Sequence, residues 1–437
     1  MAEIPVNILS AFIGAAIWHG NADEADELLV KYPQLNSGDI FTAAILGEEE
    51  SVAHYLAEDQ NNATATAEPY GGNALTYLCL SKYLRLQKRP EAGFLKAAEM
   101  LIDAGADPSA GFWNKGEFET ALYGAAGVVQ HAALTQLLVD RGAEVNDEEV
   151  CYHSPETWEN EAMKVVVDTG KLGEAYLTMM LIRKHDWHDY EGAKYLLEHG
   201  ANPNGDCNRG WYPMHHALKR INGPEMFALL LDHHADPYLA DDKLTVIARA
   251  AREGRADVLT MIRERGFDFR LNGVDDLICA CALGDEAKVQ TLSQQAPQLK
   301  NELIAMGGTL LATFCAGGNL KGTRLLLELG MPVNAPFIEG DGYYCTPPNS
   351  LPIHVAAWHN YPQVVQLLID YGAVVNVPDA NGDTPLMLNV RACTESYWTR
   401  RRSPDAVAAL LKAGASAAGV PFPCGYLEID ELLKINR

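Results

Sequence analysis

Residues 351–385 read LPIHVAAWHNYPQVVQLLIDYGAVVNVPDANGDTP, and this stretch decides the fold. Pro352 suits the first turn of a helix, where its missing N–H costs nothing. Ile353, Ala356 and Ala357 fall at i, i+3 and i+4 and share one helical face. The chain turns at His359–Pro362, and a second apolar helix carries Val364, Val365, Leu367, Leu368 and Ile369. Gly372 follows, where a left-handed residue ends the helix without a Cβ penalty. Asp379-Ala380-Asn381-Gly382 is turn chemistry, and Thr384-Pro385 caps and opens the next helix. A helix–turn–helix unit of this size cannot bury its apolar face alone, so copies must stack.

Copies are present along the chain. Loops of the same composition follow Leu101 (Asp103-Ala104-Gly105-Ala106-Asp107), Leu138 (Arg141-Gly142-Ala143-Glu144-Val145-Asn146), Leu197 (Gly200-Ala201-Asn202-Pro203-Asn204), Leu327 (Gly330-Met331-Pro332-Val333-Asn334) and Leu411 (Ala413-Gly414-Ala415-Ser416). Tyr212-Pro213-Met214-His215-His216-Ala217 repeats the opening of the unit. The pattern resembles the ankyrin repeat, G-x-T-P-L-H-x-A-A…L-L-x-x-G-A-x-x-N. The resemblance covers nearly the whole chain. It implies an all-α solenoid of about eleven helix–turn–helix units with short β-hairpin fingers, forming one array over 1–437. Within it, 1–57 reads as degenerate capping repeats, 72–266 as central repeats, 274–416 as C-terminal repeats and 417–437 as a C-terminal cap. A break near 266–275 is the alternative to a continuous array, because the unit that follows ends in Ala296-Pro297-Gln298-Leu299, much as the first ends in Tyr32-Pro33-Gln34-Leu35.

Four segments exceed the repeat. Residues 58–73 read as a polar loop, 147–173 as an insert in which Lys164–Asp168 is a short strand or helical turn, 335–350 as a finger, and 391–403 as an interruption of the last unit. A basic insertion, KYLRLQKRP, splits the third unit.

The chain has 437 residues with 34 basic and 58 acidic side chains, a net charge of −24. That field repels nucleic acid and anionic membrane and favours basic partners. No apolar run reaches the roughly 20 residues of a membrane span. Nine cysteines without a C-x-x-C pair read as small buried hydrophobes of a reducing, cytoplasmic setting rather than a zinc framework. The apolar N-terminus lacks a basic leader region and reads as a capping helix.

Chemistry is thin. There is no G-x-S-x-G, Walker loop or H-E-x-x-H, and no stretch of domain size remains for an enzyme. Lys184-His185-Asp186-Trp187-His188-Asp189, with His215-His216 and His233-His234, is the one constellation that offers metal-type ligands. Its competing reading is structural, since His215 and His354 occupy the histidine of the repeat motif. The expectation is therefore no catalysis, no cofactor and no metal. What remains is surface. The fingers and inserts carry Phe112, Trp113, Tyr152, Trp158, Trp187, Tyr190, Trp211, Tyr212, Phe337, Tyr343, Tyr344, Tyr397 and Trp398, accompanied by acids such as Asp147-Glu148-Glu149. Aromatic anchors carry a disproportionate share of interface energy. The sequence thus points to a monomeric scaffold that binds a protein, with a basic protein favoured by charge. Neutralisation of a cationic toxin or enzyme, and a metal-dependent enzyme using residues 185–234, are the alternatives.

Overall fold

In the computed structural model, residues 5–36, 38–241 and 244–436 are described. The chain forms two compact units, Met1–Ala235 and Asp236–Arg437.

In the first unit, helices come in antiparallel pairs: Val6–Ala16 with Ala22–Lys31, Ile40–Leu46 with Glu49–Glu58, and Ala74–Cys79 with Glu91–Asp103. They continue as Tyr123–Val128 with Ala132–Asp140, Glu148–His153 with Glu161–Asp168, Glu174–Asp186 with Tyr190–Glu198, and Pro213–Lys219 with Pro224–Asp232. First helices pack on the first helices of neighbouring pairs, and second helices on second helices. Small residues make this possible, as with buried Ala43, Ala44, Ala125 and Ala126.

The second unit repeats the plan with Val246–Arg252 and Ala256–Glu264, Gly273–Leu283 and Glu286–Gln295, and Gly307–Ala316 and Leu320–Glu328. Pro352–Trp358 with Pro362–Asp370 and Pro385–Thr394 with Asp405–Lys412 follow, and the helix Leu427–Ile435 packs on Asp405–Lys412. The Pro-Gln-Leu signature takes two forms. Pro33–Asn36 is a short 3-10 turn, whereas Pro297–Ala305 extends into a helix wedged against Gly273–Leu283.

The loop glycines behave as their chemistry requires. Gly372 has φ +87° with nothing within 4 Å of a built Cβ, so conformation alone selects glycine there. His234 takes the same place at φ +67° without being glycine. The loop asparagines tie one unit to the next: Asn334 Nδ2 donates to Gly372 O (3.2 Å) and its Oδ1 accepts from Val374 N (3.0 Å). Asn376 does the same with Gly414 O and Ser416 N, both at 2.8 Å. His354 links Leu351 N (2.9 Å) to Val377 O (2.8 Å), the inter-loop role expected of the motif histidine.

Two expectations are corrected. Residues 147–173 are a further helix pair rather than a loop insert, so the described residues hold twelve pairs. Lys164–Asp168 belongs to the helix Glu161–Asp168, whose buried Ala162, Met163, Val166 and Val167 have helical spacing. Its β-branched run resembled a strand, and no Gly-Ala-x-x-Asn loop follows it to reveal the repeat. The segment 58–73 is also more ordered than a loop, containing a 3-10 turn and the small hairpin Thr66–Ala67/Gly72–Asn73.

Candidate functional site

The finger is an antiparallel hairpin, Gly111–Asn114 with Glu117–Thr120, in the register Gly111↔Thr120 to Asn114↔Glu117. Strand alternation sends its residues to two destinations. Phe112 turns inward and stacks on Tyr70 with ring centroids 5.1 Å apart. Glu119 also turns inward and accepts hydrogen bonds from His19 Nε2 (2.7 Å) and Asn114 Nδ2 (2.8 Å). Trp113 and Phe118 turn outward as a tilted pair 5.2 Å apart, and Trp113 is 70% exposed.

That outer face is one wall of a hollow of about 670 Å3. The other wall is the loop and helix start from Glu144 to Glu149. Thr120 Oγ1 donates to Asp147 Oδ2 at 2.6 Å, and Ser109 Oγ accepts from Glu144 N at 2.9 Å, so the walls are joined at their base. Glu117, Glu144, Asp147, Glu148 and Glu149 line the hollow, and Arg209 is the one basic residue lining it among those described. Burial raises the Asp147 carboxyl above the ordinary aspartate range, against hydrogen bonds from Thr120, Val150 and Glu149 that lower it. The hollow is therefore anionic with one aromatic wall, a surface suited to cations carried on an apolar stem.

Tyr152 packs against Met179, Ile182 and Cys207, with the Arg183 guanidinium 4.1 Å from its ring centroid. Trp158 and Trp187 meet edge to face at 4.9 Å, and Trp158 Nε1 donates to Trp187 O at 2.9 Å. Trp158 remains 67% exposed, Tyr190 37% and Trp211 38%. In the second unit Phe337 bridges to Ser350 and is half-buried, as is Tyr343, which meets Tyr344 edge-on at 4.9 Å. The Tyr397 side chain lies outside the described residues.

Three of the sequence-derived anchors are corrected by their burial. Phe112 (3% exposed), Tyr344 (2%) and Trp398 (2%) are interior residues. Tyr344 and Trp398 lie 5.4 Å apart, each packed on His359, and Trp358 Nε1 donates to Tyr344 O at 2.6 Å. These rings anchor long loops onto the helices and present no face to a partner. Arg401, from the basic run beside Trp398, lies over the Trp398 and Tyr361 rings at 4.3 and 4.1 Å and donates to His359 O.

The histidine-rich stretch is also structural. Asp186 is buried and bound by Arg183, Arg220 and His216 Nε2 (2.8 Å). These partners hold its carboxylate well below the usual range despite the opposing effect of burial. Burial, helped by the nearby His216, pushes the fully enclosed His185 down to about 3, so it is neutral. No cluster of three or more metal-type ligands occurs among the described residues. The buried thiols of Cys279 and Cys281 are pushed up to about 12 by burial, the reverse of an activated nucleophile.

His153 sits between Glu149 (3.3 Å) and Glu156 (2.8 Å). Burial lowers its pKa, but hydrogen bonds and charge from the two carboxylates prevail and raise it to about 9. A raised histidine stabilises the fold below its unfolded value near 6.5 and loses that contribution as pH climbs through about 9. His153→Gln should accordingly lower the unfolding midpoint at pH 6 and converge on the parent above about pH 9, read by thermal unfolding across that range.

Sequence reasoning gave no role to Arg183, Lys184 or Arg209. Arg183 and Lys184 find Asp186 and Asp189 close by in the chain, but Glu156, the Thr157 carbonyl and, for Arg209, Glu148 reach them only when separate repeats stack. Among the described residues no helix is long and apolar enough to cross a membrane.

Two models of ankyrin repeats match the chain, one of three copies at residues 176–273 and one of many copies at residues 326–388. The crystal structure of the human ASB11 ankyrin repeat domain is similar at 21% identity and a TM-score of 0.24, covering 67% of this chain and 96% of that one. No curated protein matches the sequence.

Proposed function

Because this chain is an ankyrin-repeat protein, we propose that it acts without catalysis, by binding a protein whose basic segment enters the hollow between the finger and residues 144–149. Ankyrin repeats generally mediate protein–protein interaction, so the open question concerns which surface binds and what chemistry it recognises. The observation that carries the proposal is the hollow itself: five acidic side chains and an exposed tryptophan–phenylalanine pair around about 670 Å3. A net charge of −24 adds long-range attraction for a cationic partner. Such a surface has the properties needed to neutralise a cationic enzyme or toxin by occlusion. Nine free cysteines are compatible with a reducing, cytoplasmic setting.

The test is a pull-down from native lysate with the intact protein, eluted by a salt gradient. The control is the variant Trp113→Ala/Glu117→Gln, both of whose positions are exposed. A basic partner that elutes at moderate salt and is lost with the variant supports the hollow. Full retention by the variant, or elution indifferent to salt, places the binding surface elsewhere.

A further inference from the structure

Two guanidinium groups lie near the Tyr152 ring, and they are held in different ways. Arg183 is 4.1 Å from the ring centroid, only 13% exposed, and fixed by Glu156, Asp186 and the Tyr152 carbonyl. Arg209 is 5.7 Å from the same ring and 5.5 Å from the ring of Trp211. Its side chain is 38% exposed, and it is paired with Glu148, itself 55% exposed. It reaches the hollow from the loop between Asn204 and Trp211, where Cys207 (φ +47°) and Asn208 (φ +60°) are both left-handed.

Arg183 is part of the framework. Arg209 makes an exposed ion pair and two long ring contacts, one to the exposed Trp211 and one to the half-buried Tyr152, interactions that water competes with and that add little stability. A slot formed by Glu148, Tyr152 and Trp211 therefore accepts a planar guanidinium and holds it loosely at the edge of the hollow. We propose that Arg209 is an internal stand-in for an arginine of the partner, which displaces it on binding. The partner class is thus an arginine-bearing segment: the ring contacts favour a flat, delocalised cation over a compact ammonium. This inference rests on reading the hollow as the surface for a basic segment.

The experiment titrates nona-arginine and nona-lysine peptides into the full chain by calorimetry at low salt. If Arg209 competes with the peptide, Arg209→Ala binds nona-arginine about three- to tenfold more tightly than the parent, the range expected from releasing weak contacts. Lys194→Ala removes the same charge from an exposed helix position outside the lining of the hollow, and should change binding less than about twofold. Adding Glu148→Gln to Arg209→Ala should abolish the gain, and nona-lysine should gain less than nona-arginine. Arg209→Gln serves as a second variant should Arg209→Ala unfold. The proposal is overturned if neither Arg209 variant binds more tightly than Lys194→Ala, or if the gain survives Glu148→Gln. Nona-arginine binding that Glu149→Gln weakens and Arg209→Ala leaves unchanged would discard the stand-in and keep the basic-segment reading. Absence of binding by both parent and Arg209→Ala would discard both.

Discussion

Asp189→Ala is expected to destabilise the first unit by about 4 kcal/mol, the scale seen when one partner of a buried ion pair is removed. Lys184 is completely buried, and its ammonium reaches Asp189 at 2.9 Å and the Thr157 carbonyl at 2.6 Å. Asp189 also caps the helix Tyr190–Glu198 by accepting from Gly192 N (3.0 Å), and accepts from Asn160 Nδ2 (2.8 Å). One truncation thus removes a counter-ion, a helix cap worth about 1 kcal/mol, and the tie that holds the loop bearing Trp158. Burial already lowers the Lys184 pKa, opposed by the charge and hydrogen bond of Asp189. Without Asp189 the pKa falls further, and the unfolded state then binds more protons than the folded one. The deficit of the variant should therefore shrink as pH rises toward the ordinary lysine value near 10.4. Lys184→Met/Asp189→Ala should recover much of the loss, since an apolar chain replaces the stranded ammonium. Urea unfolding of the parent and the two variants at pH 7 and 9 checks this. A single variant within about 1 kcal/mol of the parent would show that the pair contributes little.

Asn319→Ala is expected to cost the second unit about 3 kcal/mol. Asn319 is 9% exposed and joins three segments: Nδ2 donates to Gly254 O (2.8 Å) and Ala282 O (2.7 Å), and Oδ1 accepts from Gly322 N (2.8 Å). The alanine variant leaves two enclosed carbonyls without this donor and uncaps the helix Leu320–Glu328, and unmet buried groups are costly. Asn319→Asp separates the two effects, because it keeps the cap acceptor and loses both donors. It should recover no more than the cap, about 1 kcal/mol. The comparison residue is Asn376, which makes a similar bridge on the exposed side of its loops. Water replaces its partners there, so Asn376→Ala should cost about 1 kcal/mol or less. Equal losses at the two positions would mean that burial does not set the value of the bridge.

These two residues mark the limit of what the chain discloses before it folds. Gly372, Asn376 and His354 were legible because their work is local or repeats at a fixed period. A left-handed turn selects glycine, and a carbonyl one unit ahead selects asparagine or histidine. Every well-formed unit carries that signature, so the all-α repeat architecture follows from sequence alone. The hairpin fingers were expected from the resemblance to ankyrin repeats, and the structure forms one at Gly111–Asn114 with Glu117–Thr120.

The helix pair at 147–173 escaped because its closing loop lacks the signature, although burial of Met163, Val166 and Val167 follows the helical period. The aromatic list shows the other limit. Phe112 and Trp113 are adjacent in a strand, yet one is 3% and the other 70% exposed. Composition treats them alike, and the direction of the hairpin decides which is core and which is surface. The acidic character of the chain was plain from its residue counts. That five carboxylates gather around one hollow, with Arg209 brought to it from more than fifty residues away in sequence, depended on stacking, because the repeats set side chains together by position in the array and not by neighbourhood in the chain. Sequence periodicity determined the kind of protein this is; the tertiary structure alone decided which of its aromatic and charged groups are free to meet a partner.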